Sequence, residues 1–159
     1  MRSPTQVAAL CAAFVVALSL VSAASAAKFS RSSEARIINV MNRVRTSNGL
    51  RPLRFDKKLR AAARSHSADM IRRRYFGHGA FGRRMGRFGV RAPVVGENLA
   101  WGTGVYAVPT TVVQSWLASP EHRSNLLRGG FSWIGVGAAV GRFVGKRKAT
   151  VITADFSGR

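Results

Sequence analysis

All three histidines of this 159-residue chain fall inside short motifs: His66 in His66-Ser67-Ala68-Asp69-Met70, His78 in Phe76-Gly77-His78-Gly79, and His122 in Ser119-Pro120-Glu121-His122-Arg123. Between them, Gly96-Glu97-Asn98-Leu99-Ala100 supplies a carboxylate in a chain that has only 6 acidic residues against 26 basic ones. Imidazoles gathered around one glutamate are where chemistry is to be sought. Two imidazoles and a carboxylate, His78, Glu97 and His122, are enough for an open site that holds Zn²⁺ or a similar divalent ion with water completing the shell. The same groups also make a hydrogen-bonded polar cleft with no ion, Glu97 accepting from both rings. Their spacings match no tight metal motif such as His-Glu-x-x-His, which favours the hydrogen-bonded cleft with weak ion binding at most.

Other chemistry has less support. No Gly-x-Ser-x-Gly elbow is present, and a serine nucleophile would need a base and an orienting acid that the sequence does not single out. A metal-assisted hydrolase with Glu97 as general base is chemically conceivable, but it asks one of three groups to do two jobs. No residue is therefore assigned a catalytic role.

The elements that must position these groups can be read from periodicity. Ile37, Val40, Met41 and Val44 recur at helical spacing and predict a helix from about Ser32 to Asn48-Gly49. Asp56 is an N-cap for a second helix, on which Leu59, Ala62, Ala63, His66 and Met70 share one face, so His66 points inward and buttresses the cleft floor. The glycine-rich stretch Gly77 to Gly89 reads as irregular, followed by a short strand near Val94 to Trp101. Thr110 to Leu117 predicts a third helix. Ser119-Pro120 then starts another, with Ser119 as N-cap and Glu121 and His122 in its first turn. Glu121 points about 100° from His122 and reaches at most the cleft rim. Residues Ile134 to Val140 and Thr150 to Phe156 pair as a hairpin around a basic loop, Gly141 to Lys148. The expected class is α+β, an αβα sandwich with a small central antiparallel sheet flanked by helices.

Residues 1–27 read as a secretory signal peptide: Arg2, an apolar run from Val7 to Val21, then Ala23-Ala24-Ser25-Ala26-Ala27. The rest, 28–159, is expected to be one domain, exported to a periplasm or beyond the cell. Cys11 is the only cysteine and lies inside the leader, so no disulfide or thiolate site is available to the exported part. Without Arg2 the chain keeps 25 basic residues, a formal charge of +19. A field of that size attracts polyanions, anionic lipids and acidic envelope polymers. Arg72, Arg73, Arg74 and Lys146, Arg147, Lys148 are the densest runs. No helix-turn-helix pattern or aromatic-interleaved RNA signature accompanies them, which argues against sequence-specific nucleic-acid reading.

Five motifs in order then carry a resemblance: Gly49-Leu50-Arg51-Pro52-Leu53, His66-Ser67-Ala68-Asp69-Met70, Gly96-Glu97-Asn98-Leu99-Ala100, Trp116-Leu117-Ala118-Ser119-Pro120-Glu121-His122-Arg123 and Ile134-Gly135-Val136-Gly137. Together they resemble the bacterial branch of the CAP superfamily, also called SCP/TAPS, over about Ile37 to Phe156. The resemblance implies an αβα sandwich with a cleft of histidines and glutamates, often able to hold a divalent cation. It places the family's first cleft histidine on His78, its first cleft glutamate on Glu97, and the bacterial histidine on His122. Where eukaryotic members carry a glutamate three residues after the tryptophan, this chain has Ser119. It also implies lipid binding, since eukaryotic relatives bind sterols and fatty acids. The sequence thus predicts a binding module with a His/Glu cleft and a cationic surface, with the metal-assisted hydrolase as the alternative.

Overall fold

The computed structural model describes residues 28–159; the signal peptide read over 1–27 lies outside them. In chain order the elements are β1 (Lys28–Phe29), α1 (Arg31–Ser47), β2 (Arg54–Phe55), α2 (Lys57–Arg73), α3 (Phe81–Arg87), β3 (Val94–Gly102), α4 (Pro109–Ala118), α5 (Pro120–Leu126), β4 (Phe131–Phe143) and β5 (Lys146–Gly158), with a 3₁₀ turn at Gly104–Ala107 before α4. The sheet order is β1-β4-β5-β3, antiparallel throughout that path. β2 adds a two-residue parallel pairing to β4, Arg54 opposite Trp133 and Phe55 opposite Ile134, which the sequence did not reveal.

Strand alternation sorts the two faces of this sheet. Ile134, Val136 and Ala138 of β4 and Ile152, Ala154 and Phe156 of β5 face α1 and α4, forming the main core with Ile37, Met41, Val112, Val113 and Trp116. The opposite face carries Gly135 and Gly137, and there α2 lies directly on the sheet. A Cβ on either glycine would run into the backbone of α2, at Leu59 and Arg60 or at Ala63 and Arg64. Ser67 fixes this contact by donating to the Gly137 carbonyl, 3.0 Å, while standing 2.9 Å from the Thr153 hydroxyl. Across the sheet end, the buried Glu34 of α1 forms a bidentate pair with Arg64 of α2, Nε to Oε1 at 2.8 Å and Nη2 to Oε2 at 2.6 Å. The result is the αβα sandwich of α+β type expected from the sequence.

Three local readings are corrected. The stretch from Gly77 to Gly89 is not irregular throughout, since α3 occupies Phe81–Arg87. Phe81, Arg84, Met85 and Phe88 fall at helical spacing and turn inward, while Gly82 and Gly86 stay on the exposed side, where they cost only helix propensity. The basic loop is instead a two-residue turn at Val144-Gly145, both with positive φ (44° and 72°) as a right-handed hairpin twist prefers. Lys146, Arg147 and Lys148 therefore project from strand β5. Finally, Ser119 holds the N-cap position of α5 with Pro120 after it, as expected, but its hydroxyl caps no backbone group.

Candidate functional site

Glu97 sits on β3, the sheet's edge strand, on the face that carries α2. Its side chain is only 2% exposed, yet it is surrounded by partners. His78, from the loop after α2, stands with Nδ1 2.7 Å from Oε1. Arg84 of α3 donates Nη2 to Oε2 and Nη1 to the His78 carbonyl, the latter at 3.1 Å. His66 of α2 brings Nε2 to 3.8 Å from Oε2 while holding the Gly77 carbonyl at 3.0 Å. The Gly77 carbonyl can only accept, so His66 carries its proton on Nε2. Burial lowers the His66 pKa against the pull of Glu97, which keeps the ring neutral.

Across from Glu97 on β5 lies Asp155, fully buried, its carboxyl beside that of Glu97 and met by no donor among the described residues. Burial first, and the Glu97 charge second, push its pKa well above the usual carboxylate range, with Arg84 opposing them.

On the other side of β3, Asn98 donates to the His122 carbonyl at 3.0 Å and accepts from Asn125 at 2.9 Å, which clamps α5 to the strand. The His122 ring sits 2.9 Å, through Nδ1, from the Ser119 hydroxyl. That contact explains what Ser119 does in place of capping. Burial and then the nearby His78 lower the His122 pKa, with Glu121 opposing them. Glu121 is exposed in the first turn of α5 and makes no ion pair among the described residues.

The structure therefore gathers His78, His66 and Glu97 around Arg84, and sets His122 within electrostatic range of His78 but on Ser119. The three-ligand set His78, Glu97 and His122 is not assembled: Glu97 already engages His78 and Arg84, and among the described residues no three His, Cys, Asp or Glu side chains are grouped to hold an ion. What the cleft offers is two imidazoles, each steadied through Nδ1 by a partner and neither hydrogen-bonded through Nε2 among the described residues.

The basic runs divide. Arg72 and Arg73 are partly neutralised by Asp69, which also accepts from the Tyr75 hydroxyl at 2.9 Å. Arg74 closes α2 in the left-handed conformation, and Lys146, Arg147 and Lys148 are exposed. Two cleft residues escaped the sequence reading, Arg84 and Asp155. Arg84 is brought in by α3, and Asp155 by its register opposite Glu97.

Comparison with known proteins places this arrangement. The model of the cysteine-rich secretory protein family, CAP, matches residues 38–156. The uncharacterized protein YkwD of Bacillus subtilis is 37% identical over 109 residues, 65% of this chain and 41% of that protein. Among solved structures, an extracellular protein containing an SCP domain from Bacillus anthracis shares 28% identity with a TM-score of 0.68, over 80% of this chain and 41% of that one. An outer surface protein of Borrelia burgdorferi shares the fold at 19% identity and a TM-score of 0.68, covering 84% of this chain and 99% of its own. The chain spans about two fifths of the first two relatives. The cleft around Glu97, built on a sandwich whose family model runs from the first helix to the last strand, is that of a chain that belongs to the CAP family.

Proposed function

We propose that this protein is an exported binding module: the His/Glu cleft is its specific pocket, and its cationic surface draws it to lipids or anionic components of the cell envelope. The observation that carries this reading is the commitment of Glu97. Arg84 neutralises it and His78 occupies its other oxygen. A general base must be free to take a proton from water at its own pH, and a carboxylate held in this way is a scaffold for His78 instead. The extracellular and outer-surface placement of two structural relatives supports export.

A divalent ion, if bound, would be held by Nε2 of His78 and of His122, and it would supply a charged anchor for an anionic ligand group. Glu97 and Ser119 would orient the two rings from behind. Such a site needs neutral imidazoles, so binding weakens as pH falls and the rings take up protons. Calorimetry with Zn²⁺ near pH 7.5 and near pH 5.5 tests it. The reading predicts weak binding at the higher pH that disappears in the double variant His78→Ala, His122→Ala. Metal-dependent hydrolysis of an ester or amide, abolished by Glu97→Gln, would favour the hydrolase and overturn the binding module.

A further inference from the structure

Of two hollows each lined by five Lys or Arg side chains and one aspartate, the one beside His66 has three of its cations in ion pairs, and the other lies away from the histidines. This second hollow is a cleft of about 1180 Å³ at the end of the sheet where β5 finishes. Five cations line it, Arg51, Arg54, Lys58, Arg91 and Arg159, against one carboxylate, Asp56. Asp56 is spent on capping α2, accepting from the Leu59 amide at 2.8 Å. The ion pairs of the described residues are made elsewhere, by Glu34 with Arg64, by Asp69 with Arg72 and Arg73, and by Glu97 with Arg84. Unlike the α2 run, the cations of this cleft have no carboxylate partner among the described residues.

The cleft is also built. Arg45, fully buried on α1, donates Nε to the Arg51 carbonyl at 3.0 Å, Nη1 to those of Leu126 and Arg128 at 2.7 and 3.1 Å, and Nη2 to that of Phe131 at 3.2 Å. One guanidinium thereby fixes two walls of the cleft to each other, the 49–52 turn and the 128–131 turn. The third wall is tied by Lys58, whose Nζ reaches the Gly89 carbonyl at 3.2 Å. The cations come from separate segments: the 49–52 turn, β2, α2, the loop before β3 and the residue after β5. That pattern suits a chain of charges and not one small anion.

We infer that this cleft binds an extended, base-free polyanion: a polymer of sugar or polyol units bearing carboxylate or phosphate groups. Arginine forks match both groups bidentately. The concave shape admits a strand of polymer and holds a flat bilayer away from its floor. Single-stranded nucleic acid would need open aromatic faces for its bases. The one tryptophan here, Trp133, is covered by the Arg54 guanidinium, 4.5 Å from its ring centre. This inference rests on the reading of the protein as a binder of anionic envelope components, and it names the site and the polymer class.

The test compares two variants of equal charge change in the full chain. Arg51→Glu, Lys58→Glu, Arg91→Glu strips the cleft but leaves the Arg54–Trp133 stack and Arg45 intact. Arg72→Glu, Arg73→Glu, Arg74→Glu does the same to the end of α2. Binding to polygalacturonate and to poly(glycerol phosphate) is measured at about 0.15 M salt, where long-range attraction is largely screened. The cleft variant should lose about tenfold or more in affinity for at least one polymer, and the α2 variant about threefold or less. The neutral variant Arg51→Gln, Arg91→Gln, with unchanged thermal unfolding, should show a smaller loss in the same direction. Equal losses in both triple variants would overturn the cleft while leaving a general cationic surface standing. A cleft-dependent preference for anionic vesicles or for a single-stranded oligonucleotide over both polymers would also overturn it. Failure of the parent chain to bind any of these at low salt would instead overturn the proposed function itself.

Discussion

Glu97 and Asp155 face each other on paired strands, and the protein treats them oppositely. Glu97 is engaged by Arg84 and His78, whereas Asp155 meets no donor, and its burial beside the Glu97 carboxyl raises its pKa. The consequence is a signed pH dependence. The folded state holds the Asp155 proton to a higher pH than the unfolded chain does, so the stability this group contributes is full below its ordinary value of 3.8 and is lost as pH rises above it. Asp155→Asn should therefore raise stability near pH 8 and remove the loss that sets in as pH rises above 3.8, read in urea titrations. A variant less stable than the parent near pH 8 would contradict the assignment. His66 and His122 act in the other direction. Their lowered pKa values mean that stability is lost as pH falls through 6.5, where the unfolded rings take up protons and the buried ones resist. Of these groups, the histidines and Glu97 were legible because they stand in recognisable motifs. Arg84 and Asp155 were not, because a lone arginine in a glycine-rich stretch and a lone aspartate in a strand carry no local sign of burial. Arg45 is the extreme case: in sequence it is one of 26 basic residues, and only the convergence of four backbone carbonyls shows that it is a strut.

At the scale of elements, the cleft depends on how closely α2 approaches the sheet. His66 reaches Glu97 because Gly135 and Gly137 let the helix backbone rest on β4 where any side chain would hold it off. Gly137→Ala should destabilise the fold by about 3 kcal/mol, the upper end for an overpacked core, because backbone on both sides has nowhere to move. Chemical denaturation checks this, and a loss of only a few tenths would mean that α2 can lift without cost. The helices α1, α2 and α4 and the hairpin were readable from periods of 3.6 and 2, since each has a clear apolar face. The α3 helix was hidden by its glycines. The parallel pairing of β2 was hidden as well, because a two-residue strand has no pattern, and it exists only where Arg54 and Phe55 are led past β4 into the capped start of α2.

For the whole molecule, the decisive quantity is charge. With a net +20 formal charge in the full sequence and its few carboxylates mostly engaged in ion pairs or capping, the surface is a cationic field broken by one His/Glu pocket and one unpaired basic cleft. The fold class was legible from sequence at this scale. The division of the surface was not, since residues 51, 58 and 91 come from three separate segments and only the tertiary structure sets them around one hollow. A binding module of this kind should associate with anionic vesicles or polymer through several charge contacts at once. The most direct measurement is the affinity of the protein for such a partner across a salt series from about 50 to 200 mM. The account predicts a linear fall of log affinity with log salt whose slope corresponds to several released counterions. A flat dependence, or no binding at the lowest salt, would contradict it.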